Sequence, residues 1–237
     1  MKPVFLIAIN FVREQRWPIL VLLLWVLVLA FLGLMTSAGR EGEDLLFVFK
    51  QVALYVVAFS VFFGSSAIYN DRRSRRILSV LSKAIERRQY LSGLVLGIAI
   101  ASAIYCFALG LTGSWTLGEA GFPVGQTWFL MLCLAAACAL AGTVALMFST
   151  FLNPFFAAGA TAAAMGIPAG LSYVFGIPQL AYIIPVYPLA ATVLKSSFGA
   201  PGRTVWFPIV LAVFETLVFW LLSASIFSYV DIAVAVD

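Results

Sequence analysis

Residues 19–35 read ILVLLLWVLVLAFLGLM, seventeen positions from Ile19 to Met35 without an ionisable or amide side chain. A surface helix of a soluble protein would show polar residues at the 3.6-residue period, and a barrel strand would alternate apolar with polar. This run does neither. A helix needs about 20 residues to cross a ~30 Å hydrocarbon core, and Trp17 and Pro18 bring the run close to that length. The reading is a transmembrane helix.

The rest of the 237-residue chain follows the same pattern. It is 63% hydrophobic and 10% charged, with a mean hydropathy of +1.07, whereas roughly 25% charged residues is usual in a soluble domain. Spans are expected at 17–35, 47–68, 91–111, 127–148, 154–175 and 206–229, which makes one all-α integral membrane domain of six transmembrane helices. The amino-terminal MKPVFLIAINFVREQRW has apolar Phe5, Ile9 and Val12, with Arg13 and Arg16 at the membrane entry. Residues 1–16 are therefore expected to lie as an interfacial helix, or to extend the first span. The first apolar run is too long for a signal-peptide core and lacks a small-x-small cleavage site, so it is read as retained.

Ten of the fourteen Lys and Arg residues fall on one side of this arrangement. Lys2, Arg13 and Arg16 precede the first span, and Arg72, Arg73, Arg75, Arg76, Lys83, Arg87 and Arg88 lie between the second and third. The positive-inside rule then puts both termini and this loop in the cytoplasm. Arg40, Lys50, Lys195 and Arg203 take the outer side.

Enzyme chemistry finds little support. The three cysteines, Cys106, Cys133 and Cys138, fall inside spans without a CxxC pair, and histidine is absent. Neither a disulfide framework nor a usual zinc site is supported. There is no GxxxxGK[ST] loop for ATP, no Gly-x-Ser-x-Gly, and no cluster of carboxylates to hold a metal. The chain is expected to bind no cofactor, to have no nucleic-acid partner, and to meet membrane lipids.

Within the basic loop, Ile77, Leu78, Leu81 and Ile85 form one apolar stripe at helical spacing, while Ser79, Ser82, Lys83 and Glu86 lie largely off it. Such a helix would lie at the cytoplasmic face. One reading is a topogenic loop whose arginines touch anionic lipid headgroups, worth about 1 kcal/mol each. The other is a docking helix for a soluble partner.

The segment FGSSAIYNDRRSRRILSVLSKAIERRQYLSGLVLG, Phe63 to Gly97, resembles the link between the second and third helices of type-2 ABC exporter permeases. In those proteins an acidic residue precedes a leucine-rich short helix, followed by a basic residue and a Tyr-Leu-x-Gly entry to the next span. Asp71 stands at the acidic position, Ile77 to Ser82 at the short helix, Arg88 at the basic position, and Tyr90, Leu91 and Gly93 at the entry. The turn FSTFLNPFFAAG and the amino-terminal NFVREQRWPIL resemble the family more loosely. The chain departs from it in carrying DRRSRRI where members often have a Glu and a Gly-Thr pair, and in lacking a Pro before the basic residue.

The resemblance implies a permease subunit of a bacterial plasma or inner membrane. It would dimerise with a second copy or a paralogue and dock on separate cytoplasmic ABC ATPase subunits that hold ATP and Mg. Coupling to the ATPase would fall to Asp71, Arg75, Arg76, Ile77, Leu78, Leu81, Ser82, Lys83 and Arg88 in the loop spanning 70–89. The alternative is a non-transporting membrane anchor or scaffold subunit of a multi-protein complex.

Few polar groups lie within the spans, chiefly Lys50, Gln51 and Glu215, so a lipid-like or amphipathic substrate is expected. The outer segment Gly176–Phe207 carries prolines at 178, 185, 188 and 201. Proline removes a helix hydrogen bond and clashes with the preceding turn, so short broken helices are expected here in place of one straight span. Similar exporters have re-entrant helices at this point. On that reading Tyr182, Tyr187 and Lys195 would line an exit gate, with Glu215 a further pathway candidate; a plain surface loop is the alternative.

Overall fold

Inside a bilayer each backbone amide must find its partner within the protein, and a helix supplies it within one segment. The computed structural model describes residues 2–36, 42–73, 86–198 and 205–229 and is helical almost throughout them, with no strand among the described residues. In chain order the helices are α1 (Lys2–Glu14), α2 (Arg16–Thr36), α3 (Gly42–Arg73), α4 (Arg87–Glu119), α5 (Val124–Ser149) and α6 (Pro154–Phe175). A 3-10 turn η1 (Pro178–Tyr182), α7 (Val186–Leu194) and α8 (Phe207–Tyr229) follow. Helices α3, α4, α5, α6 and α8 are each long and apolar enough to cross a membrane. The chain is a multi-pass membrane protein. Over the described residues, Pro3–Glu14 and Arg16–Leu32 of α1 and α2 meet the same test as a pair, bent by 64° between them.

Each expected span overlaps a helix; 154–175 matches α6 and 206–229 comes within one residue of α8, whereas the helices run past the spans expected at 17–35, 47–68, 91–111 and 127–148. The span expected at 47–68 is the middle of a 32-residue helix, and that at 91–111 the middle of a 33-residue one. Hydropathy marks where lipid contact ends, whereas backbone hydrogen bonding continues into the polar flanks. In α3, Glu43 and Asp44 occupy the first turn, where acidic side chains favour the helix dipole. The loop expected over 70–89 is correspondingly narrower, since α3 runs through Arg73 and α4 begins at Arg87. Residues Arg75, Arg76, Ile77, Leu78, Leu81, Ser82 and Lys83 lie outside the described residues, and the stripe expected of Ile77, Leu78, Leu81 and Ile85 lies there too.

Helix α5 is the axis of the bundle. Leu134, Ala137, Cys138, Ala141 and Ala145 on it are fully buried, and α3, α4, α6, α7 and α8 all pack against it. Lipid tails are as apolar as leucine, so helices in a membrane associate by close packing of small residues and by hydrogen bonds. Both operate where α3 crosses α5. A methyl group at Gly64 would overlap the Gly142 carbonyl oxygen, and one at Gly142 would come within 2.7 Å of Ser60 Oγ on α3 and 2.5 Å of Ile98 Cγ2 on α4. Beside this crossing the Ser60 hydroxyl donates to the Cys138 carbonyl. On α4 the Tyr105 hydroxyl donates to the Val52 carbonyl of α3 at 2.6 Å. All three cysteines are buried with free thiols.

Lipid-facing surface accounts for the apolar residues the core does not use. On α2, Ile19, Leu22, Val26 and Leu29 are buried, while Leu20, Leu24, Leu27 and Phe31 on the other side are exposed. One helix that is apolar all round thus faces both protein and lipid.

Between α6 and α8 the chain forms short pieces. Gly176 ends α6 at φ 65°, a left-handed conformation that glycine adopts without a Cβ penalty. Pro178 opens η1, Pro185 precedes α7, and Pro188 sits in the first turn of α7, where its missing N–H would have had no helical partner anyway.

Candidate functional site

Chain direction places Asp71, at the end of α3, and Arg87, at the start of α4, at the same end of the bundle as the carboxyl end of α8. Four side chains, Asp71, Arg87, Tyr90 and Phe227, join these helix ends. Tyr90, almost wholly buried, donates its phenolic hydroxyl to Asp71 Oδ2. Its ring stacks on Phe227 of α8, with centroids 6.1 Å apart and planes 26° from parallel. Arg87 Nη1 donates to the carbonyls of Phe227 at 2.8 Å and Ser228 at 3.1 Å, and its guanidinium carbon lies 5.8 Å from the Phe227 ring centroid. The last carbonyls of a helix have no intrahelical N–H donor and carry the negative end of its dipole. A cation forked across two of them satisfies both requirements.

The amino-terminal helix is fitted into the same corner. Gly93 and Gly97 on α4 leave room for Ile7 and Phe11 of α1, whose side-chain carbons would come within 2.6 Å and 2.8 Å of a Cβ at these two positions. A recess of about 60 Å³ remains between Asn10, Glu14, Asp71 and Tyr90. The root of the basic loop is therefore fastened to α1, α3, α4 and α8 together.

Of the residues expected to couple to a partner, the structure describes Asp71 and Arg88. Asp71 belongs to this corner. The Arg88 side chain is exposed at the loop exit. Its neighbour Arg87, read from sequence only as one of seven basic residues, makes the contact to α8. Phe227 was not singled out at all.

At the opposite end, Tyr182, Tyr187 and Lys195 line one open cavity of about 610 Å³, bordered by the end of α6, η1, α7 and Val205. Glu215 is not among its lining residues. It lies within the α8 span, with its Oε2 buried and without a hydrogen-bond partner among the described residues. Lys50 lines a second cavity, of about 380 Å³, beside Glu43, Asp44, Ser196 and Ser197, and Gln51 is exposed. The polar residues expected within the spans are thus dispersed, while the three expected at the gate are together.

No family model matches this chain, and no curated protein matches it.

Proposed function

We propose that the chain is the membrane-spanning permease subunit of an ATP-binding-cassette exporter. It works as a dimer, with a second copy or a paralogue, on separate cytoplasmic ATPase subunits. The observation that supports this most directly is the fastening of the loop root. A loop that passes the motion of an ATPase to the membrane must be joined stiffly to the helices it moves. Asp71, Arg87 and Tyr90 tie its two ends to each other and to α8, while α1 packs against α4 beside them. A membrane anchor would have no need of such joints.

On this reading α2 is the sixth span and α1 lies along the cytoplasmic face. Helices η1 and α7 dip into the outer leaflet as re-entrant pieces, with Tyr182, Tyr187 and Lys195 at the exit. The cargo is lipid-like or amphipathic, in keeping with spans that offer few groups to solvate an ion or a sugar.

The test has two parts. The full chain, tagged and solubilised gently from its native membrane, is expected to bring with it an ATPase that carries a phosphate loop, whose hydrolysis in vesicles depends on this chain. Recovery without such an ATPase, or hydrolysis indifferent to the chain, would overturn the proposal. For orientation, a cysteine introduced at Ser74 should be shielded from an impermeant thiol reagent in intact cells and one at Gly118 labelled; the reverse pattern would remove the docking role.

A further inference from the structure

We propose that the cavity between the end of α6, η1 and α7 binds the head of an anionic lipid drawn from the surrounding leaflet, with its tail lying along the open face of α6. Its volume of about 610 Å³ falls within the roughly 300–1,000 Å³ usual for small-ligand sites. Among the described residues that line it, Lys195 is the only charged one, and no carboxylate shares the wall. The ammonium supplies three donors, and the hydroxyls of Tyr173, Tyr182 and Tyr187 add neutral ones. A site with one cation and several neutral donors selects an anion, because a cationic or zwitterionic head would bring a positive group against Lys195.

The remainder of the cavity suits an amphiphile better than a free anion. Ala169, Ala181 and Ala191 contribute apolar wall, which an inorganic ion would leave unused. Ala169 and Tyr173 continue along α6, at helical spacing, to Gly166, Ala162 and Gly159. A Cβ placed at Gly159 or Gly166 would meet nothing within 4 Å, and Ala162 is exposed. These small residues make a smooth track leading from the bilayer side into the cavity. Binding of this kind needs no ATPase, so it stands or falls separately from the exporter reading.

The experiment uses the full chain in phosphatidylcholine nanodiscs containing a trace of phosphatidylglycerol with a diazirine near its glycerol backbone. The same probe with a choline head serves as the comparison, and labelled peptides are read by mass spectrometry. The anionic probe is expected to label the Tyr173–Lys195 region roughly tenfold more than the choline probe, whose phosphate accepts the same hydrogen bond but whose quaternary ammonium is set against Lys195. Lys195→Gln should remove the difference and Lys195→Arg should keep most of it. Lys195 also closes the carboxyl end of α7, where a cation favours the helix dipole, so the Tm of each variant is measured alongside. Equal labelling by the two heads, indifference to Lys195→Gln at unchanged Tm, or the same enrichment at the turn 120–123 would each overturn the proposal, the last by showing surface attraction alone.

Discussion

The two ends of the bundle place aromatic and basic side chains in opposite settings. At the loop root a tyrosine, an arginine and a phenylalanine close on one another, and their polar atoms are taken up by a carboxylate and two helix-end carbonyls. At the far end three tyrosines and a lysine line open space; the Tyr182 ring packs against Phe207, but among the described residues no hydrogen bond engages the hydroxyl of Tyr182 or Tyr187. The comparison teaches that composition alone does not assign a role. The same residue types make a rigid joint where helix ends supply acceptors, and a receptive surface where prolines have broken the helix and left room.

The largest effect is expected at the segment the root supports. If Leu78 and Leu81 seat in a groove on an ATPase, each contributes about 1.5–3 kcal/mol. Replacing both with Asp should then weaken association by a factor on the order of 100 or more. Chain-dependent ATP hydrolysis should be lost while membrane insertion stays normal. Coupling that survives the double change would reduce the loop to a topological signal, and the joint at its root would then serve stability only.

The next largest separates packing from both ends. Gly64→Val forces side-chain atoms against the Gly142 carbonyl and should destabilise the bundle by about 1–3 kcal/mol or more. Gly166→Ala, where the added carbon meets nothing within 4 Å, should stay within about 0.5 kcal/mol of the parent. Thermal unfolding in detergent reads both. Equal effects would mean that the α3–α5 crossing is looser than its geometry indicates.

The comparison of the two ends is tested most directly by a matched pair of changes. Tyr90→Phe removes the donor to Asp71 from a buried site and should cost about 1–3 kcal/mol. Tyr187→Phe removes a hydroxyl with no partner among the described residues and should cost less than about 0.5 kcal/mol. Arg87→Met, which keeps much of the side-chain volume but withdraws both bonds to α8, should resemble Tyr90→Phe in stability and also lower chain-dependent ATP hydrolysis. If Tyr90→Phe and Tyr187→Phe prove equally mild, the loop root is no stiffer than the outer cavity.

The spans at α3, α4, α5, α6 and α8 were legible because hydropathy reports lipid contact directly, and α6 even begins and ends where its apolar run does. Helix ends were less so. In α3 and α4 the hydrogen-bonding pattern continues through charged residues that a hydropathy reading assigns to a loop. The broken outer pieces followed from Pro178, Pro185 and Pro188, since proline acts locally on the backbone. The contact between Arg87 and Phe227 was not legible, because it joins positions 140 residues apart and Arg87 looks like its six basic neighbours until the end of α8 is brought beside it. Asp71 drew attention only through the resemblance, and the Tyr90 hydroxyl that engages it only as part of a helix entry. Gathering Tyr182, Tyr187 and Lys195 into one gate rested on the same resemblance; their common cavity depends on how η1 folds back against α6, which spacing does not encode.

The smallest effect is expected at Glu215, which belongs to neither end. An ionisable residue inside a span is treated as functional by default, because placing it there is costly. Here one carboxyl oxygen is buried without a hydrogen-bond partner among the described residues, and the side chain lines neither the outer cavity nor the loop root. Glu215→Gln keeps the shape and the capacity to accept and donate hydrogen bonds while removing the ability to ionise. Since no partner is lost, stability should change by less than about 0.5 kcal/mol, and chain-dependent ATP hydrolysis should keep its parental pH profile. A shifted profile at unchanged Tm would overturn this expectation. It would make the middle of α8 a third functional region, set between a joint and a gate that, on the present reading, divide the work between them.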